Sequence, residues 1–259
     1  MGVLNVTPDS FSDGGRFFDE DAAVAHGIKM ANEGAGIIDL GGESSRPGAD
    51  SISAEEELGR VLPVLKRVRS QTSALISIDT RKAKVARAAL DAGADMVNDI
   101  SAGADPEMLP LVAERKAALI LMHMKGEPKT MQNSPHYDDV VGEVANFFRQ
   151  RYACAVSCGV DPMAIAFDPG IGFGKTLEHN LALLSNLHFL RIKDRPIVVG
   201  VSRKAFLRKL LDGAEPGSAE IGTLAMTTLL RAKGVDVFRV HQVGENAQAL
   251  RLTNALASP

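Results

Sequence analysis

The 259-residue chain contains no tryptophan, which excludes a tryptophan-based stacking site. Its only two cysteines, Cys154 and Cys158, fall in one helix-like segment and share a face. Two thiols alone do not make a zinc site, so the plain reading is a pair of reduced helix thiols. Charge of neither sign dominates: 29 Lys and Arg face 32 Asp and Glu, for a net charge of −3. That argues against a nucleic-acid-binding protein driven by bulk charge, although local basic sites stay open. No apolar run reaches membrane-spanning length, and no signal peptide precedes the first strand-like run. A cytoplasmic globular protein is expected, with neither membrane nor nucleic acid as partner. Two more absences bear on the fold. No Pro/Ser-rich linker divides the chain, and no glycine fingerprint for a dinucleotide follows an early strand.

What is present is alternation. The length allows one or two domains, or one large α/β barrel, and an apolar fraction of 45% supplies a sizeable core. Short β-like runs read GVLNV, GIIDLGG, LISIDT, DMVNDI, ALILMHM, IAFDPG, PIVVGVS and VFRVH. Amphipathic stretches such as DEDAAVAHGIKMANEGA, RKAKVARAALDAGA, YDDVVGEVANFFRQRYACAVSCG, SAEIGTLAMTTLLRAKGV and GENAQALRLTNALA lie between or after them. Glycines in "EGA", "DAGA" and "AKGV" suit helix C-termini. Strands alternating with helices imply parallel pairing, and apolar runs without alternation fit strands covered on both faces. Eight such units predict a single (β/α)8 barrel domain over residues 1–259, its active site at the C-terminal mouth of the strands. A doubly wound sheet is the runner-up.

The strand ends carry the chemistry. They bring Asn5; Asp39 with Gly41, Gly42 and Glu43; Asp79; Asn98; His123; Asp168; Ser202, Arg203 and Lys204; and Arg239 with His241. One polar strand end is most often a turn or helix cap, and that is the expectation for Asp39 and for His123 taken alone. Eight ends around one barrel mouth favour function for the set. Asp168 and Asn98 can make the planar paired hydrogen bonds that an aminopyrimidine edge requires. Arg239 and His241, two apart on a strand, face the same side and suit a phosphate or diphosphate. Lys204 follows Gly200 and Ser202 at a strand-to-helix turn, where backbone N–H groups also favour anions. The residues alone thus point to a binder of a heterocycle plus an anionic group.

In order along the chain stand NVTPDSFSDGG, DLGGESSRPGA, SIDT, VNDISAG, LMHMKGEPKTMQ, FDPGIGFGK, GVSRK and RVHQV. With these the chain resembles the dihydropteroate synthases, enzymes of folate biosynthesis. Each motif is modest alone; eight in register are specific. The resemblance implies the same barrel, and a reaction joining 6-hydroxymethyl-7,8-dihydropterin diphosphate to p-aminobenzoate with release of pyrophosphate and use of Mg2+. It matches Asp79, Asn98, Asp168 and Lys204 to the pterin pocket, lined also by Met124, Phe173 and Gly200. Asn5, Arg239 and His241 match the diphosphate site, with Asn5 also a metal ligand. Phe11 and Asp13 match a first mobile loop, and Ser45, Arg46 and Pro47 a second. Together the loops form the p-aminobenzoate pocket, with Ser202 and Lys204 beneath it. Asp13, Asp79, Lys204, Arg239 and His241 are the residues expected to act in catalysis. The resemblance also suggests a homodimer through late barrel helices.

Two departures stand out. Ser45 replaces the family's usual Thr, keeping the hydroxyl and losing the methyl. The chain also starts inside the first strand, where family members usually carry a short segment closing the barrel floor; this bears on stability more than chemistry. Three rivals are weaker. A pterin-dependent methyltransferase of the same fold has less reason to keep Arg239, His241 and both loop motifs. A non-catalytic pterin binder should have lost groups needed only for chemistry. An aldolase-type Schiff base is disfavoured because Lys204 sits in a turn beyond its strand.

Overall fold

All eight β-like runs form strands in the computed structural model, which describes residues 1–7, 20–46, 48–211 and 218–257. They are β1 (Gly2–Asn5), β2 (Ile37–Gly41), β3 (Leu75–Asp79), β4 (Met96–Asp99), β5 (Ala118–Met122), β6 (Ile165–Asp168), β7 (Val198–Val199) and β8 (Val237–Phe238). Strands β1 to β6 pair in sequential parallel order, and β7 pairs with β8. Single parallel bridges, Phe167 to Ile197 and Gly2 to Val240, join the two sheets. Backbone bonds from Phe167 N–H to Pro196 O (2.9 Å) and from Val3 N–H to Val240 O (3.0 Å) reinforce both seams. The eight strands therefore form a barrel ring in chain order. That order excludes the doubly wound sheet, whose strand sequence reverses at its middle.

The helices are α1 (Glu20–Asn32), α2 (Ala54–Arg69), α3 (Ala83–Asp91), α4 (Met108–Arg115), α5 (Val140–Ser157), α6 (Leu177–Ser185), α7 (Ala205–Leu210), α8 (Ser218–Ala232) and α9 (Val243–Ala257). Their ends follow local chemistry. Ser53 accepts from Glu56 N–H at the start of α2, and Thr176 forms a reciprocal cap with His179 at the start of α6. Gly34, Gly93 and Gly234 sit just past α1, α3 and α8 with positive φ, as "EGA", "DAGA" and "AKGV" predict. Among the described residues no helix is long and apolar enough to cross a membrane.

Side-chain alternation splits each strand between two environments. Leu4, Ile38, Leu40, Ile76, Ile78, Val97, Leu119, Leu121, Ile165, Phe167 and Val199 join the large apolar layer between strands and helices. Their neighbours point into the barrel, and there the lining is partly polar: Asp39, Ser77, Asn98 and Asp168 are all buried. Because every strand runs the same way, the C-terminal ends share one rim.

Candidate active site

Three carboxylates and two cations meet inside that rim. Arg239, just past β8, is forked: Nε donates to Asp39 Oδ2 at 2.5 Å and Nη2 to Asp79 Oδ2 at 2.6 Å. Asn98 Nδ2 also donates to Asp39 Oδ2, at 3.1 Å. Asp39 is thus neither turn nor cap, which corrects the sequence expectation. It lies mid-strand at zero exposure, directed into the barrel by the period-two alternation of β2. Burial pushes Asp79 up to about 7, against the pull of Arg239 and with Asp39 adding to the rise. Burial also raises the Asp168 carboxyl, opposed by the Gly170 N–H and by Lys204 and Arg239. Asp168 Oδ1 accepts from Gly170 N–H at 2.7 Å, and the cap of α6 is Thr176, so Asp168 is not that helix's cap.

Lys204 reaches into the same space. Burial brings its ammonium down to about 8, Arg239 adding to the fall and Asp168 and Asp79 opposing it. Its Nζ stands 4.0 Å from the centre of the Phe173 ring. Phe173 packs with Ile100, Met122, Met131 and Met124 in a small apolar cluster apart from the main core. Gly200 also borders this space, beside Arg239; a Cβ there would make only ordinary contact, at 3.8 Å from Arg239 Cβ.

The loop carrying Phe173 is clamped by Lys175, a buried cation that sequence reasoning passed over. Its three N–H groups are shared among four acceptors: the carbonyls of Phe173 (3.0 Å), Gly170 (3.1 Å) and His123 (3.3 Å), and His123 Nδ1 (3.0 Å). Burial lowers Lys175 to about 7 and His123 to about 3, so the imidazole is neutral and accepts. The loop passes so close that a Cβ on Gly170 would lie 1.9 Å from His123 O, and φ there is +63°; only glycine fits. The available signal was the lone Lys closing the Gly-rich FDPGIGFGK.

His241 faces the outer mouth. Burial lowers it to about 4, with Arg203, Arg239 and Lys204 contributing, so it is neutral near pH 7. Its Nδ1 lies 2.9 Å from Ser202 Oγ, which accepts the His241 backbone N–H at 3.3 Å. When the Ser202 hydroxyl donates to Nδ1, the neutral ring carries its proton on Nε2 and can donate from there. Ser45 and Arg46 follow β2, in a segment braced by Glu43. That carboxylate accepts from Ile52 N–H (3.3 Å), from Arg81 (2.8 Å) and from Lys82. Gly48 N–H to Pro128 O (3.1 Å) ties the segment to the loop after β5.

A cavity of about 900 Å³ opens over this assembly, lined among others by Asn5, Ser45, Arg46, Phe173, Gly200, Ser202, Lys204, Arg239 and His241. A narrow inner recess continues between Asn98, Met122, Asp168, Phe173, Lys204 and Arg239. Asp79 lines neither space and is tied to the site through Arg239. The expected site residues Phe11, Asp13 and Pro47 lie outside the described residues. For the implied Mg2+, Asn5 offers one neutral carbonyl oxygen, and the described residues hold no metal-binding group of three or more His, Cys, Asp or Glu. This donor set fits a hard cation that arrives with diphosphate oxygens and water, not a free-standing metal site.

Known proteins resemble the chain over its whole length. A family described as pterin binding enzyme matches residues 1–241. A dihydropteroate synthase from Synechocystis is 48% identical over 257 residues, covering 99% of this chain and 89% of that one. A Xanthomonas albilineans dihydropteroate synthase solved with 4-aminobenzoic acid superposes with a TM-score of 0.93 at 43% identity, over 100% of this chain and 92% of that one. A Yersinia pestis dihydropteroate synthase solved with a sulfonamide drug gives a TM-score of 0.93 at 41% identity, over 100% and 94% of the two chains.

Proposed function

Since the chain belongs to the pterin-binding enzymes and acts as a dihydropteroate synthase, we propose that the inner recess holds the pterin and the outer cavity holds the diphosphate and p-aminobenzoate. The reaction joins 6-hydroxymethyl-7,8-dihydropterin diphosphate to p-aminobenzoate, a transfer step of folate biosynthesis that sulfonamides target. The observation that carries the placement is the junction of the two spaces. Asp168, Asn98 and Lys204 ring the narrow one, and Asn5, Ser202 and His241 the wide one; Lys204 and Arg239 border both.

In this reading Asp168 accepts paired N–H donors from the aminopyrimidine edge, Asn98 adds a further contact, and Lys204 donates from the other side. Met124, Phe173 and Gly200 shape the apolar walls. The diphosphate lies toward Asn5, the Nε2–H of His241 and the unpaired donors of Arg239. Ser45, Arg46 and Ser202 border the amine pocket, to which the resemblance also assigns Phe11 and Pro47. The amine nitrogen forms a bond to the pterin methylene carbon. The carbon–oxygen bond to diphosphate breaks, pyrophosphate leaves with the electron pair, and one N–H proton passes to solvent. Fixed charges and dipoles aimed at the separating ions supply the rate: Asp79 acts on the carbon, a role the resemblance also gives Asp13, and the Arg239 cation and the neutral His241 ring act on the oxygens. Asn5 would hold Mg2+ together with the substrate's own oxygens, and the metal would supply charge that makes the diphosphate a better leaving group. We place the enzyme in the cytoplasm, as one barrel domain and a homodimer.

Replacing Asp168 by Asn tests the placement, since it keeps the shape and removes the charge. Pterin affinity should fall by about 2 kcal/mol or more. Unchanged affinity together with lowered thermal stability would remove Asp168 from the recess.

A further inference from the structure

Asp39 lines neither cavity, yet it is the residue on which two members of the recess converge. Its Oδ2 alone receives both Arg239 Nε and Asn98 Nδ2. Its Oδ1, fully buried, has no hydrogen-bond partner among the described residues. The register neighbour Ser77 likewise leaves a buried Oγ unpaired. A carboxylate so placed is a poor stabiliser. Apolar side chains of similar volume often serve a core as well as a buried ion pair. The arrangement is better explained by what Asp39 imposes on its two partners.

We infer that Asp39 is a positioning residue: it anchors the Arg239 fork and locks the Asn98 amide with its NH2 inward and its carbonyl oxygen toward the recess. An ionised carboxylate can only accept, so it must draw the NH2 end of Asn98. The amide then presents an acceptor to the ligand. Asn98 and Asp168 thereby become acceptors together, and the recess selects a ligand edge rich in N–H donors. With an apolar residue at 39, the Asn98 amide would be free to turn over and place a donor against a donor. The Arg239 guanidinium would lose one of its two tethers and swing wholly to Asp79.

This inference rests on the pterin reading of the recess, and a double-mutant cycle separates the two. Titrations of 6-hydroxymethyl-7,8-dihydropterin diphosphate would compare the parent enzyme, Asp39→Asn, Asn98→Ala and the double variant, each with a melting curve. Asn98→Ala should weaken binding by on the order of tenfold. Asp39→Asn should weaken it too, and the double variant by clearly less than the product of the two factors. Unchanged binding in Asn98→Ala would overturn the pterin reading. A weakened Asn98→Ala with fully multiplicative factors would overturn the positioning role alone. Should Asp39→Asn fail to fold, the parent enzyme still decides. The Asn98 side-chain NH2 signals, assigned by their loss in Asn98→Ala, should exchange slowly with solvent in the ligand-free enzyme. Fast exchange would show that the NH2 is not held inward.

Discussion

The ammonium of Lys204 stands 4.0 Å from the centroid of the Phe173 ring, a cation held over an aromatic face where the wide cavity meets the inner recess. Burial has already brought that ammonium down to about 8. If its charged form holds the pterin, affinity should decline as pH rises through about 8, and Lys204→Gln should abolish that dependence. Stability should move the other way. The folded-state value lies below the ordinary 10.5, so the unfolded chain binds more protons between about 8 and 10.5. The contribution of Lys204 to stability therefore grows across that window. Pterin titrations and melting curves at matched pH values check both signs. Affinity and melting temperature falling together would indicate unfolding and remove Lys204 from the pterin.

The barrel was legible because its strands and helices differ in period, and because capping signals such as Ser53 and Thr176 are local. The run PIVVGVS reads as a long strand, but its regular pairing narrows to Val198–Val199; beyond Gly200 the chain turns through Arg203, whose φ is +58°. The site was legible as a set of strand ends and less so residue by residue. Asp39 within IIDLG looks like any strand-end Asp. Its role depends on Arg239, 200 positions away, and on Asn98, two strands along the ring. Lys175 lies in a loop with no periodicity, and its partners are carbonyls, which every residue carries. Contacts of this kind follow from closure of the ring, and no local pattern encodes them.

Ser45 borders the wide cavity and the recess alike. Replacing it should shift the p-aminobenzoate KM and sulfonamide inhibition by more than it shifts pterin affinity. Ser45→Thr restores a methyl against the aromatic amine and should tighten it, by about 0.8 kcal/mol if that methyl is fully buried. Steady-state kinetics with each substrate varied in turn provides the check. Equal effects on both substrates would take Ser45 out of the amine pocket.

Magnesium should bind only together with the diphosphate. Asn5 supplies a single neutral oxygen, and the described residues hold no metal-binding group of three or more His, Cys, Asp or Glu. A hard divalent cation with a single protein ligand stays largely hydrated unless phosphate oxygens complete its shell. Calorimetry should detect no tight Mg2+ binding to the free enzyme, and clear binding once the pterin diphosphate is present. Asn5→Ala should weaken the second event only. Tight binding to the free protein would require a metal site of a different kind.

Arg239 decides between two ways of breaking the carbon–oxygen bond. The aniline nitrogen is a weak nucleophile, and the pterin ring can donate electrons to its methylene carbon. A path in which diphosphate departs first, leaving a delocalised cation, then depends on charges fixed in advance. Arg239 is so fixed, with two carboxylates holding its Nε and Nη2 while its other donors remain for the leaving oxygens. Removing it outright is a blunt test, because Arg239→Ala takes the cationic partner from the buried Asp39 and Asp79, at a cost of about 3–5 kcal/mol in stability. Arg239→Lys keeps one charge and loses the fork. It should slow carbon–oxygen cleavage by more than it weakens substrate binding, which single-turnover measurements separate. The bond order itself is read from the secondary deuterium isotope effect at the methylene, with chemistry made rate-limiting. A cationic transition state loosens the out-of-plane bending of those C–H bonds and gives a normal effect clearly above unity. A value near unity would mean that the amine pushes as the diphosphate leaves, and Arg239 would then be a binding group rather than the stabiliser of a separated ion pair.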